Sequence, residues 1–240
     1  MNLSIIAEEI SVRVGQKYIL ENISASFFGP GLYFLIGRNG SGKSTFLRVL
    51  PGLISYEGNV LINGKNQREY SRKELAEIIG YVWQNPLYGF FEESVEREIL
   101  FILKNLGRDY SMLDNVVEMF RIRHLMKRSP FTLSGGEAKR VSICSVIVAD
   151  QPIILFDEPE SEMDLSGLES LVEFIRRSIR DKLIIIATHN PLVAIKLKKY
   201  IKKIYFIEQG KMIREGGTEI FDDEEFLEGI GVVSPSWWID

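Results

Sequence analysis

Residues 37–45 constrain the fold of this chain more than any other stretch of its sequence. They read Gly-Arg-Asn-Gly-Ser-Gly-Lys-Ser-Thr, and residues 37–44 fit the pattern G-x-x-x-x-G-K-[ST]. An apolar run at residues 32–36 predicts a buried strand before this loop, and residues 45–50 predict a helix after it. In this strand–loop–helix context the pattern indicates a backbone cradle for a polyphosphate.

The chemistry of such a loop explains its residue types. Glycines let the backbone wrap closely around phosphate with its N–H groups pointing inward, and the next helix directs its positive N-terminal end at the anion. Lys43 is expected to reach the β- and γ-phosphates of a nucleoside triphosphate, and the Ser44 hydroxyl to ligate Mg²⁺. The predicted phosphate-binding residues are Gly37, Arg38, Asn39, Gly40, Ser41, Gly42, Lys43, Ser44 and Thr45.

Composition narrows the class of protein. With 45% hydrophobic and 26% charged residues, the chain is expected to be globular with a substantial core. Its net charge of −4 argues against a strongly basic nucleic-acid binder, so no nucleic-acid partner is expected. Cys144 is the only cysteine, which fits a reducing cytoplasm. No apolar run approaches the roughly 18 residues of a membrane span, and no signal peptide is indicated.

The order of predicted elements indicates an α/β fold. Alternating runs near residues 10–14 and 19–28 predict antiparallel strands ahead of the loop. Apolar runs without alternation, at residues 153–156 and 183–187, are separated by helical patterns and predict a mostly parallel sheet covered on both faces. Residues 92–149 have helical spacing and predict three or four helices with few strands.

Two helix starts are predicted in the second half of the chain. The Ser-Gly-Gly stretch at residues 134–136 is expected to begin a helix whose N–H groups and dipole suit an anion. Ser166 and Glu169 have the spacing of a capping box, which predicts that a second helix opens there.

Four further motifs follow the phosphate loop along the chain. Gln84 follows an apolar strand, and Leu-Ser-Gly-Gly-Glu at residues 133–137 comes after the helical region begins. Asp157-Glu158-Pro159 ends another apolar strand, and His189 stands just beyond the next one. In this order and context the motifs closely resemble those of the ATP-binding cassette (ABC) ATPases.

The resemblance covers nearly the whole chain and implies its architecture: a P-loop (RecA-like) ATPase core with a mostly parallel sheet, an N-terminal antiparallel β-subdomain and an inserted α-helical subdomain. In this interpretation residues 1–240 form a single ABC ATPase domain. Residues 1–85 and 150–220 form the nucleotide-binding core, residues 86–149 the helical subdomain with the signature motif, and residues 221–240 a short C-terminal extension.

The roles of the site residues follow from chemistry and match the family. Asp157 is expected to hold Mg²⁺ through a water, and Glu158 to accept a proton from, or orient, the attacking water. Gln84 resembles the family glutamine that contacts Mg²⁺ and senses the γ-phosphate, and His189 resembles the switch histidine that contacts the same phosphate. The predicted catalytic residues are Glu158, His189, Lys43 and Gln84, and the predicted Mg²⁺ ligands are Ser44, Gln84 and Asp157.

The resemblance also implies a second ABC ATPase chain as partner. Two chains would pack head to tail, each offering Ser134, Gly135 and Gly136 to ATP held on the other chain's phosphate loop. Asp164 matches the family loop that crosses this interface. Whether the dimer is formed by two copies or by two related chains is left open, and ATP with Mg²⁺ is the implied cofactor pair.

The chain departs from the family pattern at the base-binding position. Val14 stands where the family carries an aromatic residue that stacks on adenine, and Tyr18 is the nearest aromatic. Tyr18 is a candidate to stack on adenine, although a strand residue that faces the core or solvent is an equal alternative. We therefore expect discrimination between bases to be looser than usual. Glu160 also departs from the Thr or Asn that usually follows Asp-Glu-Pro.

Residues 84–99 and 216–235 are similar to ATPases of the energy-coupling factor (cobalt/vitamin importer) type. Phe90 and Phe91 lie where the family forms a groove for a membrane subunit, so they are candidate partner contacts, with core packing as the alternative. The same alternatives hold for the Trp-Trp pair at residues 237–238.

The resemblance thus predicts an ATPase that powers transport, with import of a metal ion or vitamin favoured. We expect it in the cytoplasm, peripheral on the inner face of the membrane, where an integral membrane subunit would contact residues 84–91. The alternative is a non-transport ABC ATPase of the iron–sulfur assembly or macromolecule-clamp kind.

Overall fold

The structure, a computed structural model, describes residues 3–232, and the Trp-Trp pair and Pro235 lie outside that range. Within it the strands are β1 (Ser4–Val14), β2 (Lys17–Phe28), β3 (Gly31–Ile36), β4 (Glu57–Ile62), β5 (Lys65–Asn66), β6 (Ile79–Val82), β7 (Ile153–Asp157), β8 (Leu183–Thr188), β9 (Ile201–Glu208) and β10 (Lys211–Gly216). The α-helices are α1 (Lys43–Val49), α2 (Arg72–Ile78), α3 (Val95–Leu106), α4 (Leu113–Met119), α5 (Gly135–Ile147), α6 (Leu165–Ser178), α7 (Leu192–Lys196) and α8 (Glu224–Gly229).

A six-stranded sheet in the order β10-β9-β3-β8-β7-β6 forms the centre of the molecule. All its neighbours are parallel except β10, which pairs antiparallel with β9. Successive residues of a strand point to opposite faces, so Leu32, Phe34 and Ile36 join one apolar core while Tyr33 and Leu35 join another. The sheet is therefore covered on both faces, as its unalternating apolar strands predict.

An antiparallel sheet in the order β2-β1-β4-β5 lies with α1 over one face of the large sheet. Ile5 of β1, Ile23 of β2 and Phe46 of α1 are fully buried in the same core as Leu35 and Ile185 of the large sheet. The predicted α/β architecture, with an antiparallel N-terminal sheet and a mostly parallel central sheet, is confirmed.

The other face of the large sheet is covered by α3, α5 and α6, whose residues Ile99, Val141 and Leu171 are buried in its core. Helices α3, α4 and α5 all fall between β6 and β7, where the sequence predicts three or four helices. None of the helices within residues 3–232 combines the length and apolar character that a membrane crossing requires.

One of the two predicted helix starts is observed as predicted. Helix α5 begins directly after Ser134, whose hydroxyl accepts a hydrogen bond from the Glu137 N–H at 3.4 Å. The Glu137 carboxylate accepts from the Ser134 N–H at 2.9 Å, which completes a capping box. The turn at residues 134–136 is thus the first turn of a well-capped helix.

The second predicted helix is observed, beginning at Leu165, but the predicted capping box of Ser166 and Glu169 was wrong. Helix α6 is capped by Asp164, whose carboxylate accepts from the Gly167 N–H at 2.8 Å, and Ser166 merely donates its hydroxyl to Asp164 at 3.1 Å. The capping-box spacing of Ser166 and Glu169 misleads because a better acceptor lies two residues earlier, in extended backbone where an N-cap must be.

Asp164→Ala is expected to lower the free energy of unfolding by about 1 kcal/mol, because the first turn of α6 loses its side-chain acceptor. Ser166→Ala is the matched control, since the Ser166 hydroxyl caps no helix N–H. Guanidinium unfolding followed by circular dichroism measures both variants. Equal losses in the two would contradict the assignment of Asp164 as the cap.

Candidate functional site

The phosphate loop and the predicted catalytic and Mg²⁺-binding residues gather at one edge of the large sheet because four parallel strands end there. The phosphate loop (residues 37–45) follows β3, Gln84 follows β6, Asp157 is the last residue of β7, and His189 follows β8. Strands β3, β8, β7 and β6 are neighbours in that order. Loops at the carboxyl ends of such strands meet in a common crevice, where open α/β sheets bind ligands.

The phosphate loop is held in shape by its own lysine. The Lys43 ammonium donates to the main-chain carbonyls of Gly37 at 2.8 Å and Arg38 at 2.9 Å, and the side chain is almost fully buried. Gly37 is sterically required, because a Cβ there would lie 2.1 Å from the carbonyl oxygen of Ile207. Gly42 has φ 111°, a left-handed conformation that favours glycine at the entry to α1.

Arg38 belongs to the loop, but its side chain is directed to the C-terminal segment. Its Nε donates to the carbonyl of Ile230 at 2.6 Å and its Nη2 to that of Gly229 at 3.3 Å. The backbone at the loop tip, Asn39 and Gly40, is exposed. The guanidinium thus anchors the start of the phosphate loop to the end of α8.

Asp157 is fully buried and receives two hydrogen bonds. Its Oδ1 accepts from the Ser44 hydroxyl at 2.7 Å, its Oδ2 accepts from the Tyr81 hydroxyl at 2.9 Å, and Arg48 lies 3.8 Å from Oδ2. Burial raises the pKa of Asp157, and the donors Ser44 and Tyr81 oppose this effect. Burial also raises the pKa of Tyr81 above its ordinary value, so this hydroxyl keeps its proton and stays a donor.

Glu158 is the centre of the predicted catalytic set. Its Oε2 accepts from the Gln84 side-chain amide at 3.0 Å, and its Oε1 lies 3.1 Å from His189 Nδ1 and 3.8 Å from Lys43 Nζ. The residue is buried and has φ 45°, a left-handed conformation that is uncommon for a residue with a Cβ. A carboxylate held between three polar side chains has the arrangement expected of a general base.

Burial shifts the pKa values of the charged groups around the Glu158 carboxylate. The pKa of Lys43 is lowered because burial removes water from its ammonium, although the neighbouring Glu158, Asp157 and Glu160 carboxylates favour the charged form. Burial likewise raises the pKa of Glu160, which accepts a hydrogen bond from the Thr188 hydroxyl. The Asp157 and Glu158 carboxylates and the Lys43 ammonium are therefore buried charges, whereas Gln84 and His189, which contact Glu158, are exposed.

The signature turn (residues 134–136) packs against the loop that carries Asp164. A Cβ on Gly135 would lie 2.4 Å from a Glu162 carboxylate oxygen, and one on Gly136 would lie 3.1 Å from the Glu162 carbonyl. Tyr18 is on β2 and half exposed, with the Arg13 guanidinium 4.8 Å from its ring centroid. Within residues 3–232 no hydrogen bond joins Tyr18, the signature turn or Asp164 to the phosphate loop.

Sequence reasoning missed Tyr81 and Arg48, which both contact the buried Asp157. Tyr81 lies in the apolar strand that the sequence predicts before Gln84. What the sequence does not show is that this strand lies beside β7, with Tyr81 opposite Leu155. Only strand order brings the Tyr81 hydroxyl to the Asp157 carboxylate.

The residues present fit a triphosphate with a hard divalent cation. Within the described part of the chain the buried Ser41 hydroxyl has no hydrogen-bond partner, which leaves a donor available inside the loop. The Ser44 hydroxyl is hydrogen-bonded to the Asp157 carboxylate, and Gln84, whose amide nitrogen donates to Glu158, also carries an amide oxygen. Such oxygen ligands are those that Mg²⁺ prefers.

Tyr81→Phe is expected to destabilise the fold by about 1–3 kcal/mol, because it leaves a buried oxygen of Asp157 without its donor. Tyr88→Phe is the control, since Tyr88 is exposed. Guanidinium unfolding at neutral pH compares both with the parent chain. An unchanged free energy of unfolding for Tyr81→Phe would show that the bond to Asp157 contributes no stability.

Comparison with known proteins agrees with this geometry. The family model described as ABC transporter matches residues 20–161. The "Putative ABC transporter ATP-binding protein PH0132" of Pyrococcus horikoshii is 36% identical over 225 residues, which are 91% of this chain and 85% of that protein. The energy-coupling factor transporter ATP-binding protein EcfA2 of Bacillus thuringiensis is 32% identical over 233 residues, covering 92% of this chain and 78% of that protein.

A solved structure shows the same fold over the whole length. The structure of cbiO1 from Clostridium perfringens, described as part of the ABC transporter complex cbiONQ, superposes with a TM-score of 0.75 at 27% identity. The match covers 98% of this chain and 97% of cbiO1. With a family model over more than half of its length and relatives above 30% identity, this chain belongs to the ABC transporter ATPases, the subunits that bind and hydrolyse ATP.

Proposed function

We propose that this chain is the ATPase subunit of an importer of the energy-coupling factor type, and that it hydrolyses ATP with Mg²⁺ at a site centred on Glu158. The observation that carries the proposed chemistry is the contact of one buried carboxylate with Gln84, His189 and Lys43. The transporter type is supported by the similarity to EcfA2 and cbiO1 and by residues 84–99.

Each residue has a defined task in this proposal. The phosphate-loop N–H groups and Lys43 bind the triphosphate, and Ser44, Gln84 and Asp157 would hold Mg²⁺, which neutralises phosphate charge when bound. Glu158 accepts the proton of the attacking water, while Gln84 and His189 fix the direction of its carboxylate. Water exclusion strengthens these interactions, because the carboxylates and Lys43 are all buried.

A second ABC chain completes the site in this proposal. The signature turn stands at the capped N-terminus of α5, where backbone N–H groups favour an anion, and it would contact ATP bound to the partner. The loop carrying Asp164 packs against that turn and would cross the interface with it. The hydrogen bond from Gly167 lowers the pKa of Asp164, so this side chain is charged at neutral pH.

The membrane subunit is proposed to contact an exposed apolar surface beside Gln84. Leu87, Tyr88 and Phe91 are 52%, 70% and 56% exposed. A cavity of about 220 Å³ beside them is lined by Trp83, Phe91 and Phe101 among others. Aromatic side chains next to a cavity are typical anchors for a partner, and contact there would place the chain at the inner face of the membrane.

Glu158→Gln is expected to lower the ATPase rate at least about 100-fold, because the amide does not accept the proton of water. It is also expected to accumulate an ATP-bound dimer, measured by size-exclusion chromatography with light scattering in Mg-ATP. Glu57→Gln, an exposed acid on β4, is the control. Normal turnover of Glu158→Gln would remove Glu158 from the role of base.

Phe91→Ala is expected to keep basal ATPase activity within about twofold yet to weaken membrane-subunit binding by at least about tenfold, as for an interface anchor. Phe90→Ala is expected to behave differently: Phe90 is 7% exposed in the core, so its loss destabilises the fold by about 3 kcal/mol. Tyr110→Ala, at an exposed residue of the loop between α3 and α4, is the control. Unchanged binding by Phe91→Ala would contradict the proposed surface.

The transporter assignment is tested by purifying tagged Glu158→Gln chain from detergent-solubilised native membranes in Mg-ATP, followed by mass spectrometry. Co-purification of multispanning proteins supports the proposal, and their identity indicates the type of importer. Recovery of only soluble partners would instead favour an iron–sulfur assembly or macromolecule-clamp ATPase.

A further inference from the structure

A buried lysine joins the signature helix to the segment that carries Gln84. Lys139 lies on α5, one turn after the signature turn, and is 1% exposed. Its ammonium donates to the main-chain carbonyl of Trp83 at 3.1 Å and to that of Gln84 at 2.6 Å. The sequence pattern assigns this residue no role, since it falls outside the Leu-Ser-Gly-Gly-Glu motif.

The ammonium has no acidic partner at contact distance. Among the described residues no carboxylate lies within 4.0 Å of Lys139 Nζ, so two carbonyl oxygens are its hydrogen-bond partners. Burial lowers the pKa of Lys139 to about 8, and the carboxylates that oppose this effect, Glu160 first, all lie within residues 157–162. A buried ammonium that is paired with carbonyl oxygens lowers the stability of the fold, and an apolar side chain of similar volume would lower it less.

The two carbonyls that Lys139 holds belong to the peptides on either side of the Gln84 backbone. From this backbone the Gln84 side chain reaches Glu158 Oε2 at 3.0 Å. At the other end, Lys139 is rigidly connected to Ser134 through the first turns of a capped helix. A continuous path of covalent and hydrogen bonds therefore runs from the signature turn to the carboxylate of Glu158.

From this geometry we propose that Lys139 is a positioning residue for ATP hydrolysis. It fixes the Gln84 backbone to α5, so that Gln84 orients Glu158 when the signature turn contacts the ATP bound to the partner chain. The inference rests on the proposed function of Glu158. It adds a link between the surface that contacts the partner chain's ATP and the base on the same chain. Lys139 touches neither nucleotide nor water in this proposal and acts through Gln84.

The first test compares steady-state ATPase kinetics of Lys139→Met, Lys139→Arg and the parent chain. We expect Lys139→Met to lower kcat by about tenfold to a hundredfold, as for a misplaced catalytic group, with KM for ATP within about twofold. Lys139→Arg keeps a buried cation that donates hydrogen bonds, and we expect it to recover part of kcat. Lys127→Met, at an exposed lysine of the same helical region, is the matched control.

Unfolding in guanidinium separates positioning from a purely structural role. Met removes a buried cation, which favours the fold, but it also removes the donor to the two carbonyls, which opposes that gain. The guanidinium midpoint of Lys139→Met is therefore expected to stay close to that of the parent. A clear fall of the midpoint that accompanies the loss of kcat would overturn the inference, as would a kcat equal to that of the parent.

Fluorescence of Trp83 provides a readout that needs no hydrolysis. The chain has three tryptophans, so Trp237→Phe with Trp238→Phe leaves Trp83 as the sole tryptophan, whose emission is excited selectively at wavelengths that tyrosine does not absorb. Adding the non-hydrolysable analogue AMP-PNP with Mg²⁺ is expected to change Trp83 emission in this background. The change should be lost on adding Lys139→Met, although the analogue still binds in equilibrium dialysis. An identical change with and without Lys139 would overturn the inference.

These measurements distinguish the inference from the proposed function. Absence of ATP binding and hydrolysis in the parent chain would refute the proposed function itself. Normal activity in the parent together with normal kcat and Trp83 response in Lys139→Met would refute the role of Lys139 alone.

Discussion

Parallel pairing of β3, β8, β7 and β6 is the interaction on which the rest of the structure depends. The register sets Ile36 of β3 beside Thr188 of β8, and Asp157 of β7 beside Ala187. Because these strands end together, the phosphate loop and the acidic pair meet although more than a hundred residues separate them in sequence. Both faces of the sheet are buried in apolar cores, so the strands cannot slip without exposing them.

The site at this edge is a group of buried charges that are satisfied by one another and by the backbone. Lys43 is bonded to two loop carbonyls, Asp157 to two hydroxyls, and Glu158 to an amide. Removing these groups from water costs free energy, and apolar replacements would stabilise the fold better. The proposed function explains their presence, because fixed buried charges would act strongly on a phosphate and an attacking water. Lys139 on α5 is a further buried charge that is bonded to backbone carbonyls.

Sequence patterns predicted the structure correctly where one interaction between neighbouring residues decides it. They failed where two nearby side chains could make the same interaction. Ser134 and Glu137 form a capping box from neighbouring residues, and the helix start was predicted correctly. Ser166 and Glu169 have the same spacing, but Asp164 takes the cap. The adjacent residues Phe90 and Phe91 have the same side chain, yet one is buried and the other exposed. The turn around them decides this, and Glu98 shapes that turn by accepting from the Phe91 N–H at 3.0 Å.

Short segments of the sequence were enough to predict the fold class and the phosphate loop and to show the order of the motifs. Loop sterics, helix capping and apolar periodicity are all properties of such segments. Only the tertiary structure decided which groups surround Asp157 and Glu158. Tyr81, Arg48 and Lys139 come to the site through strand order and helix docking, which depend on the packing of apolar faces distant in sequence. A sequence motif contains the residues that are proposed to perform the chemistry. The residues that keep those side chains in position are identified only by their contacts in the folded chain.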